Sequence, residues 1–186
     1  DTRRRIYEET GTDFSGIICK EATIDDLDET AIYNFRMNWS EKSGNQQILA
    51  NSDEQILFDC GAITDEGVTY AALILFGKST SLARLLPQTE IVFEYRSSET
   101  SGPANQREEF RIGFFACYDR IWELINLRND KQHYQEGFFV FDIATFNERI
   151  VREAILNAVS HRNYQLSGSV FVRQYPDRLI VENSHQ

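Results

Sequence analysis

The sequence predicts an α+β fold of mixed helices and mostly antiparallel strands. Three observations predict it. Apolar residues recur at helical spacing through Leu27, Ala31, Phe35 and Trp39, and again through Phe114, Tyr118, Ile121, Trp122 and Ile125, as in helices with one buried face. The stretch TEIVFEYRSS alternates, and SVFVRQYPDRLIVEN reads as two strands around a turn, the pattern of half-buried strands. The chain has 186 residues, 41% of them apolar and 12% aromatic, enough to build a core and too apolar for global disorder.

In chain order, RRRIYEETG predicts a short helix ending at Gly11. Thr23 followed by Asp26 is an N-terminal capping pair for the stripe that begins at Leu27. NWSEKSGNQQ reads as a polar loop. SDEQILFDCGAI carries a Ser or Asp cap ahead of Ile56, Leu57 and Cys60, so a second helix is expected, with DEG as a turn. The apolar run VTYAALILFGKS fits strand or helix by periodicity alone; Ala71, Ala72 and Leu73 favour helix, with Thr69 as cap and Gly77 as stop. Short helices followed by strands suggest a winged-helix-like middle region.

In TEIVFEYRSS, Ile91, Phe93 and Tyr95 share one strand face, and Glu90, Glu94 and Arg96 largely share the other. SETSGPANQ is a loop by composition. FRIGFFACYDRIWELINLRND predicts a longer helix whose first residues also suit a strand, and GFFVFDIATF is β-rich. A helix follows, with Asn147 as cap and Phe146 placed to staple onto Val151. Val170 and Val172 then alternate into a hairpin, with Tyr-Pro-Asp-Arg as its turn and Leu179 to Val181 as its return strand.

Composition narrows function. The net charge is −10 and the pI near 4.8, so the chain as a whole is a poor grip for duplex DNA, which needs Lys and Arg to neutralise phosphates. Arg3, Arg4 and Arg5 read as a solvated terminal turn. Cys19, Cys60 and Cys117 are far apart with no CxxC pair, which argues against a zinc cage and for reduced core thiols in a cytoplasmic setting. No run approaches a membrane span. The chain opens with Asp rather than Met and carries no signal-peptide pattern, so it is expected to be part of something longer.

The stretch VREAILNAVSHRNY, residues 151–164, carries the chemistry. At about 100° per residue, Val151, Ala154, Ile155, Ala158 and Val159 spread over a core-facing arc, and Glu153, Asn157 and His161 fall in a wedge of roughly 80° on its flank. From spacing alone an exposed helix shoulder is the ordinary reading, although Asn is a poor helix former. The chemical reading is specific. A carboxylate and a carboxamide one turn apart project side by side. The amide oxygen suits Mg²⁺, the carboxylate suits a water attacking a γ-phosphate, and His161 or Arg162 would approach phosphate oxygens from the helix end.

The segment VREAILNAVSHRNYQLSGSVFVRQYPDRLIVEN resembles the start of the GHKL, or histidine-kinase-type (Bergerat), ATPase domain of a bacterial family labelled transcriptional regulators or ATP-dependent DNA helicase-related proteins. Arg152-Glu153-Ala154, Asn157-Ala158 and His161-Arg162-Asn163-Tyr164 match the family pattern, with Asn163 in place of its aspartate. ATIDDLD (22–28) and TYAALILFGKS (69–79) resemble the family's middle region. RRRIYEETG resembles the tail of the Schlafen-type AlbA domain, the DNA-binding module that precedes it.

The resemblance implies three segments: 1–20 as the tail of an upstream AlbA-type domain, 21–135 as a middle α/β region, and 136–186 as the incomplete start of a GHKL-like ATPase. It implies Glu153 as catalytic base and Asn157 as Mg²⁺ ligand, with ATP and Mg²⁺ as cofactors. Asn183 lies where the next nucleotide motif would begin. Ser184 stands in place of that motif's proline, and no glycines follow before the end at VENSHQ. The chain alone is therefore expected to bind nucleotide weakly or not at all. DNA would be contacted through the upstream domain, with homo-oligomerisation open. The competing expectation is a structural or interaction module with a decayed ATPase-like segment; a nucleic-acid-binding module in its own right is opposed by the charge.

Overall fold

Side-chain caps punctuate the first half of the chain. The computed structural model describes residues 14–98, 102–136 and 138–183. The expected N-terminal helix and AlbA-type tail up to residue 13, and the closing residues 184–186, lie outside them. Asp26 reaches back to the Thr23 N–H at 2.8 Å, but this pair closes only a 3-10 turn, Ile24–Asp26. Helix α1, Glu29–Ser43, starts later, on Asp28, whose carboxylate accepts from the Ala31 N–H. The carboxylate of Asp26 instead accepts from Ser81 Oγ at 2.7 Å and pairs with Arg84.

α1 also outlasts its expected end. The supposed loop at residues 38–47 is helical to Ser43, with Gly44 as the left-handed cap (φ 68°), the conformation glycine adopts at least cost. Trp39 packs against the core and Ser40 is buried, so this polar-looking stretch still presents an inner face. A 3-10 turn, Gln46–Ala50, leads to α2, Asp53–Asp59, capped by Ser52. The short ladder of β1, Ile63–Thr64, and β2, Gly67–Val68, brackets the DEG turn.

Thr69 then caps α3, Tyr70–Phe76, and donates its hydroxyl to the Ala62 carbonyl at 2.7 Å, while Gly77 ends the helix. Helix α4, Ser79–Leu85, follows without having been anticipated. Gly77 and Gly113 meet where α3 runs up against the next long helix, α5, Phe114–Asn126. The Gly113 N–H donates to the Gly77 carbonyl at 2.8 Å. A Cβ on Gly113 would sit 2.7 Å from Phe76 backbone atoms, a contact only glycine avoids. Around this junction Phe35, Phe76, Phe114 and Phe115 pack ring against ring.

The strands are β3, Ile91–Tyr95; β4, Gln106–Phe110; β5, Lys131–Glu136; β6, Phe139–Ala144; β7, Val170–Gln174; and β8, Leu179–Asn183; helix α6, Glu148–Ser160, precedes β7. Four of them form one sheet in the order β4-β3-β7-β8. Its β3–β4 and β7–β8 pairs are antiparallel, and β3–β7 is parallel. The fold is thus α+β with mostly antiparallel pairing. β3 and β4 form a hairpin, and β3 also pairs with β7 on its other edge, so the hairpin is joined into the four-stranded sheet with β4 as an edge strand.

The parallel pair has a second consequence. It joins strands from both sides of the anticipated boundary at 135/136, and that boundary falls inside the antiparallel hairpin β5–β6. One continuous cluster of buried side chains runs from Cys19 to Val172. The root of the β5–β6 hairpin is held by Asn129, whose side chain accepts from the Phe146 N–H and donates to the Phe146 carbonyl.

Register sorts the sheet's two faces. Ile91, Phe93, Val170, Val172 and Gln174 point to the helical side and are buried. Gln174 donates to the Ile125 carbonyl at 2.9 Å, tying the end of α5 to β7. On the other face, Glu94 sits among Arg96, Arg107 and Arg173, with N–O distances of 2.9 to 3.1 Å, and Arg173 also pairs with Glu182.

Two of the three thiols are core groups, as anticipated: Cys19 and Cys117 are buried, and burial pushes the Cys117 thiol up to about 12. Cys60 is exposed, because it is the C-cap of α2 and lies past that helix's buried face. Among the described residues no helix is long and apolar enough to cross a membrane.

Candidate functional site on helix α6

α6 is nucleated as its sequence suggests. The Asn147 side chain accepts from the N–H groups of Arg149 and Ile150, at 3.0 and 3.3 Å, satisfying two of the helix's free donors. In the next turn Arg152 bonds Glu148 at 2.7 Å and lies over the Tyr118 ring, 4.9 Å from its centroid. Tyr118 donates its hydroxyl to the Glu148 carbonyl. Burial pushes that phenol up to about 12, against the opposing pull of Arg152.

The helix buries one narrow stripe, Val151, Ile155 and Val159. Ala154 and Ala158, expected to share the core arc, are only partly buried. The arc therefore centres on Ile155, and the opposite side of the helix carries Glu153, Asn157 and His161. They stand across from the core, not on its flank. Three β-branched side chains fill the fully buried stripe, while Leu156 and Ala158 pack against its edges. Ile150 shares this outer side and is 70% exposed.

The outer row is open. Asn157 and His161 are exposed, and among the described residues neither side chain has a hydrogen-bond partner. Glu153 pairs with Lys42 on α1, whose ammonium lies 3.1 Å from Oε1.

The other two candidates point elsewhere. Arg162 is buried and turned inward, donating to the carbonyls of Gln88, Leu166 and Gly168 and stacking on Tyr164. Burial holds its guanidinium below the ordinary arginine range. It closes the loop between α6 and β7, and a side chain bonded to three carbonyls does not also reach a phosphate over the outer row. Asn183 ends β8 opposite Val170, on the sheet face that α6 covers. Its side-chain oxygen is buried with no partner among the described residues. The structure thus brings Glu153, Asn157 and His161 together on one side of α6 and leaves Arg162 and Asn183 on the other.

A cleft of about 600 Å³ opens beside the α6–β7 loop, lined by Gln88, Glu90, Leu166, Ser167, Gly168 and Ser169 among others. None of the five candidate residues lines it. Glu90 in its wall is bonded by Ser169 and Arg111; burial alone would raise its carboxyl, and these bonds hold it below the ordinary range. Among the described residues no group of three His, Cys, Asp or Glu converges as a metal cage. Sequence reasoning missed Lys42, Asn38 and Gln88, which meet the α6 region from 74 or more residues away; no local spacing signals such partners.

The comparisons with known proteins bear mainly on the fold. A family model described as a domain of unknown function (DUF8451) matches residues 3–92, a segment that ends in β3 and does not include α6. No curated protein matches the chain. Among solved structures, the chain is similar to the DIP2311 protein from Corynebacterium diphtheriae, with a TM-score of 0.71 and 24% identity over 96% of this chain. That likeness shows a shared fold. The chain spans about a third of that protein's length, 34%.

Proposed function

We propose that this chain carries the first nucleotide-contacting helix of an ATP-binding transcriptional regulator, with Glu153 as general base and Asn157 as the protein's ligand to Mg²⁺. The observation that carries the reading is the outer row of α6. Glu153 and Asn157 project one turn apart on the side of the helix away from the core, Glu153 half-exposed and Asn157 exposed, and the Asn157 amide has no competing partner among the described residues. The resemblance of residues 151–183 to the GHKL-type ATPases supports the same roles.

The donor set fits the ion. A nucleotide-bound Mg²⁺ needs only one or two protein oxygens, the rest coming from phosphates and water, and an exposed carboxamide oxygen is of that kind. When bound, the ion supplies charge neutralisation at the phosphates. Asn157 would fix its position, Glu153 would orient the attacking water and take its proton, and His161 would reach the phosphates from the helix end. The buried Arg162 has no part in this scheme, and Asn183 has none on the outer row. DNA contact falls to an upstream AlbA-type domain, consistent with the net charge of −10, and the setting is cytoplasmic.

Calorimetric titration of the full natural protein with Mg-ATP tests this. Glu153→Gln should keep binding and lose hydrolysis, and Asn157→Ala should weaken binding only when Mg²⁺ is present. Absence of heat in the unaltered protein would sink the reading.

A second reading, a structural or interaction module with a decayed ATPase-like segment, draws support from the Glu153–Lys42 pair and the inward turn of Arg162. It expects no nucleotide heat from the unaltered protein or from either variant.

A further inference from the structure

We propose that Lys42 is a positioning residue for Glu153, so that the upstream helix α1 sets the geometry of the candidate base; this rests on the nucleotide-site reading above. Two contacts, one turn apart on α1, grip two consecutive residues of α6. Asn38 Oδ1 accepts from Arg152 Nη1 at 3.0 Å, and Lys42 Nζ donates to Glu153 Oε1 at 3.1 Å. Arg152 is itself pinned by Glu148 and by the Tyr118 ring, so the seam has a rigid side against which the Lys42–Glu153 contact is set.

The chemistry follows from which atom is held. Lys42 engages one carboxylate oxygen, Oε1. The second oxygen has no bonded partner among the described residues. A free glutamate one turn from a metal ligand samples several rotamers, and a base is effective only when it is within hydrogen-bond reach of its proton. Anchoring one oxygen narrows that sampling without occupying the oxygen that does the work. No spacing rule would have joined these residues, since 111 positions separate them.

The pair is solvent-facing, with side-chain exposures of 70% for Lys42 and 47% for Glu153. The effect is correspondingly modest, about two- to fivefold, the range of exposed ion pairs. Lys42→Ala and Lys42→Arg in the full natural protein, assayed for Mg-ATP binding and hydrolysis, test it. Lys42→Ala should lower kcat by that factor while the Mg-ATP dissociation constant and KM stay unchanged, and Lys42→Arg should recover most of the loss. Binding and turnover in the unaltered protein with no change in kcat for Lys42→Ala would overturn the inference alone. So would a loss shared by kcat and KM, or a loss that arginine does not recover. If the unaltered protein does not bind Mg-ATP, the nucleotide-site reading fails and the positioning role fails with it.

Discussion

The guanidinium of Arg162 donates to the carbonyl of Gln88, 74 residues earlier in the chain. Gln88 returns the contact through its side chain, which donates to the carbonyl of Tyr164. This exchange, with the bonds from Arg162 to Leu166 and Gly168, locks the loop that carries the chain from α6 into β7. It makes the arginine of the His-Arg-Asn-Tyr stretch a structural clamp.

Replacing Arg162 with alanine should therefore cost stability first. Three partly buried carbonyls lose a charged donor that is itself buried, and hydrogen bonds to charged groups contribute about 1.5–3 kcal/mol each before water replaces them. We expect a total loss of about 2–4 kcal/mol by urea denaturation, within the range for breaking a buried network. Lysine should recover little, because a point cation cannot span carbonyls that a planar fork reaches together. A variant as stable as the parent would show that the clamp carries no weight.

The buried carboxylate of Glu94 should make stability depend on acid. Burial by itself would raise its pKa, but hydrogen bonds and charge from Arg96 and Arg173 outweigh that and hold it below the ordinary range. A carboxylate depressed in the folded state contributes stability that is fully present above its unfolded pKa, about 4.3. That contribution is lost as pH falls through the lower, folded value. Thermal or urea unfolding between about pH 7 and pH 3 should show the fall. In Glu94→Gln the gap to the parent should be largest near neutrality and shrink on acidification, whereas a gap independent of pH would mean that the ion lattice does not cause it.

Gly113→Ala should destabilise by about 1–3 kcal/mol, the usual cost of forcing atoms into a packed site. The obstacle is backbone at 2.7 Å and not a side chain that swings aside. Alanine at Gly16, where an added Cβ meets nothing within 4 Å, is the control and should change stability by less than about 0.5 kcal/mol. Equal melting of the two variants would contradict the steric account.

Much of the local structure was legible because its causes are local. Thr69 and Gly77 bound α3 as expected, Asn147 caps α6, and the Tyr-Pro-Asp-Arg turn joins β7 to β8. Caps and tight turns satisfy backbone groups within a few residues, so residue type alone reveals them. β4 and β5, with the sequences QREEF and KQHYQE, were invisible for the converse reason. Their pairing partners supply the hydrogen bonds, and β4's polar side chains answer charges across the strands, as Arg107 does Glu94, so neither segment needs an apolar alternation.

By itself the sequence determined the α+β class, the caps and helical stripes, the hairpin, and a Glu-Asn pair one turn apart on a helix. Only the tertiary structure decided that β3 and β7 lie side by side in parallel, that α6 rests on Val151, Ile155 and Val159, and that Glu153 and Asn157 consequently face away from the core while Arg162 turns inward. Periodicity specifies which residues share a side of a helix. Which side is buried depends on the width and position of the surface it meets, and here that surface is a sheet assembled from strands about 80 residues apart. The contact between Lys42 and Glu153 is of the same kind: two helices settle it by how they pack, and no interval along the chain encodes it.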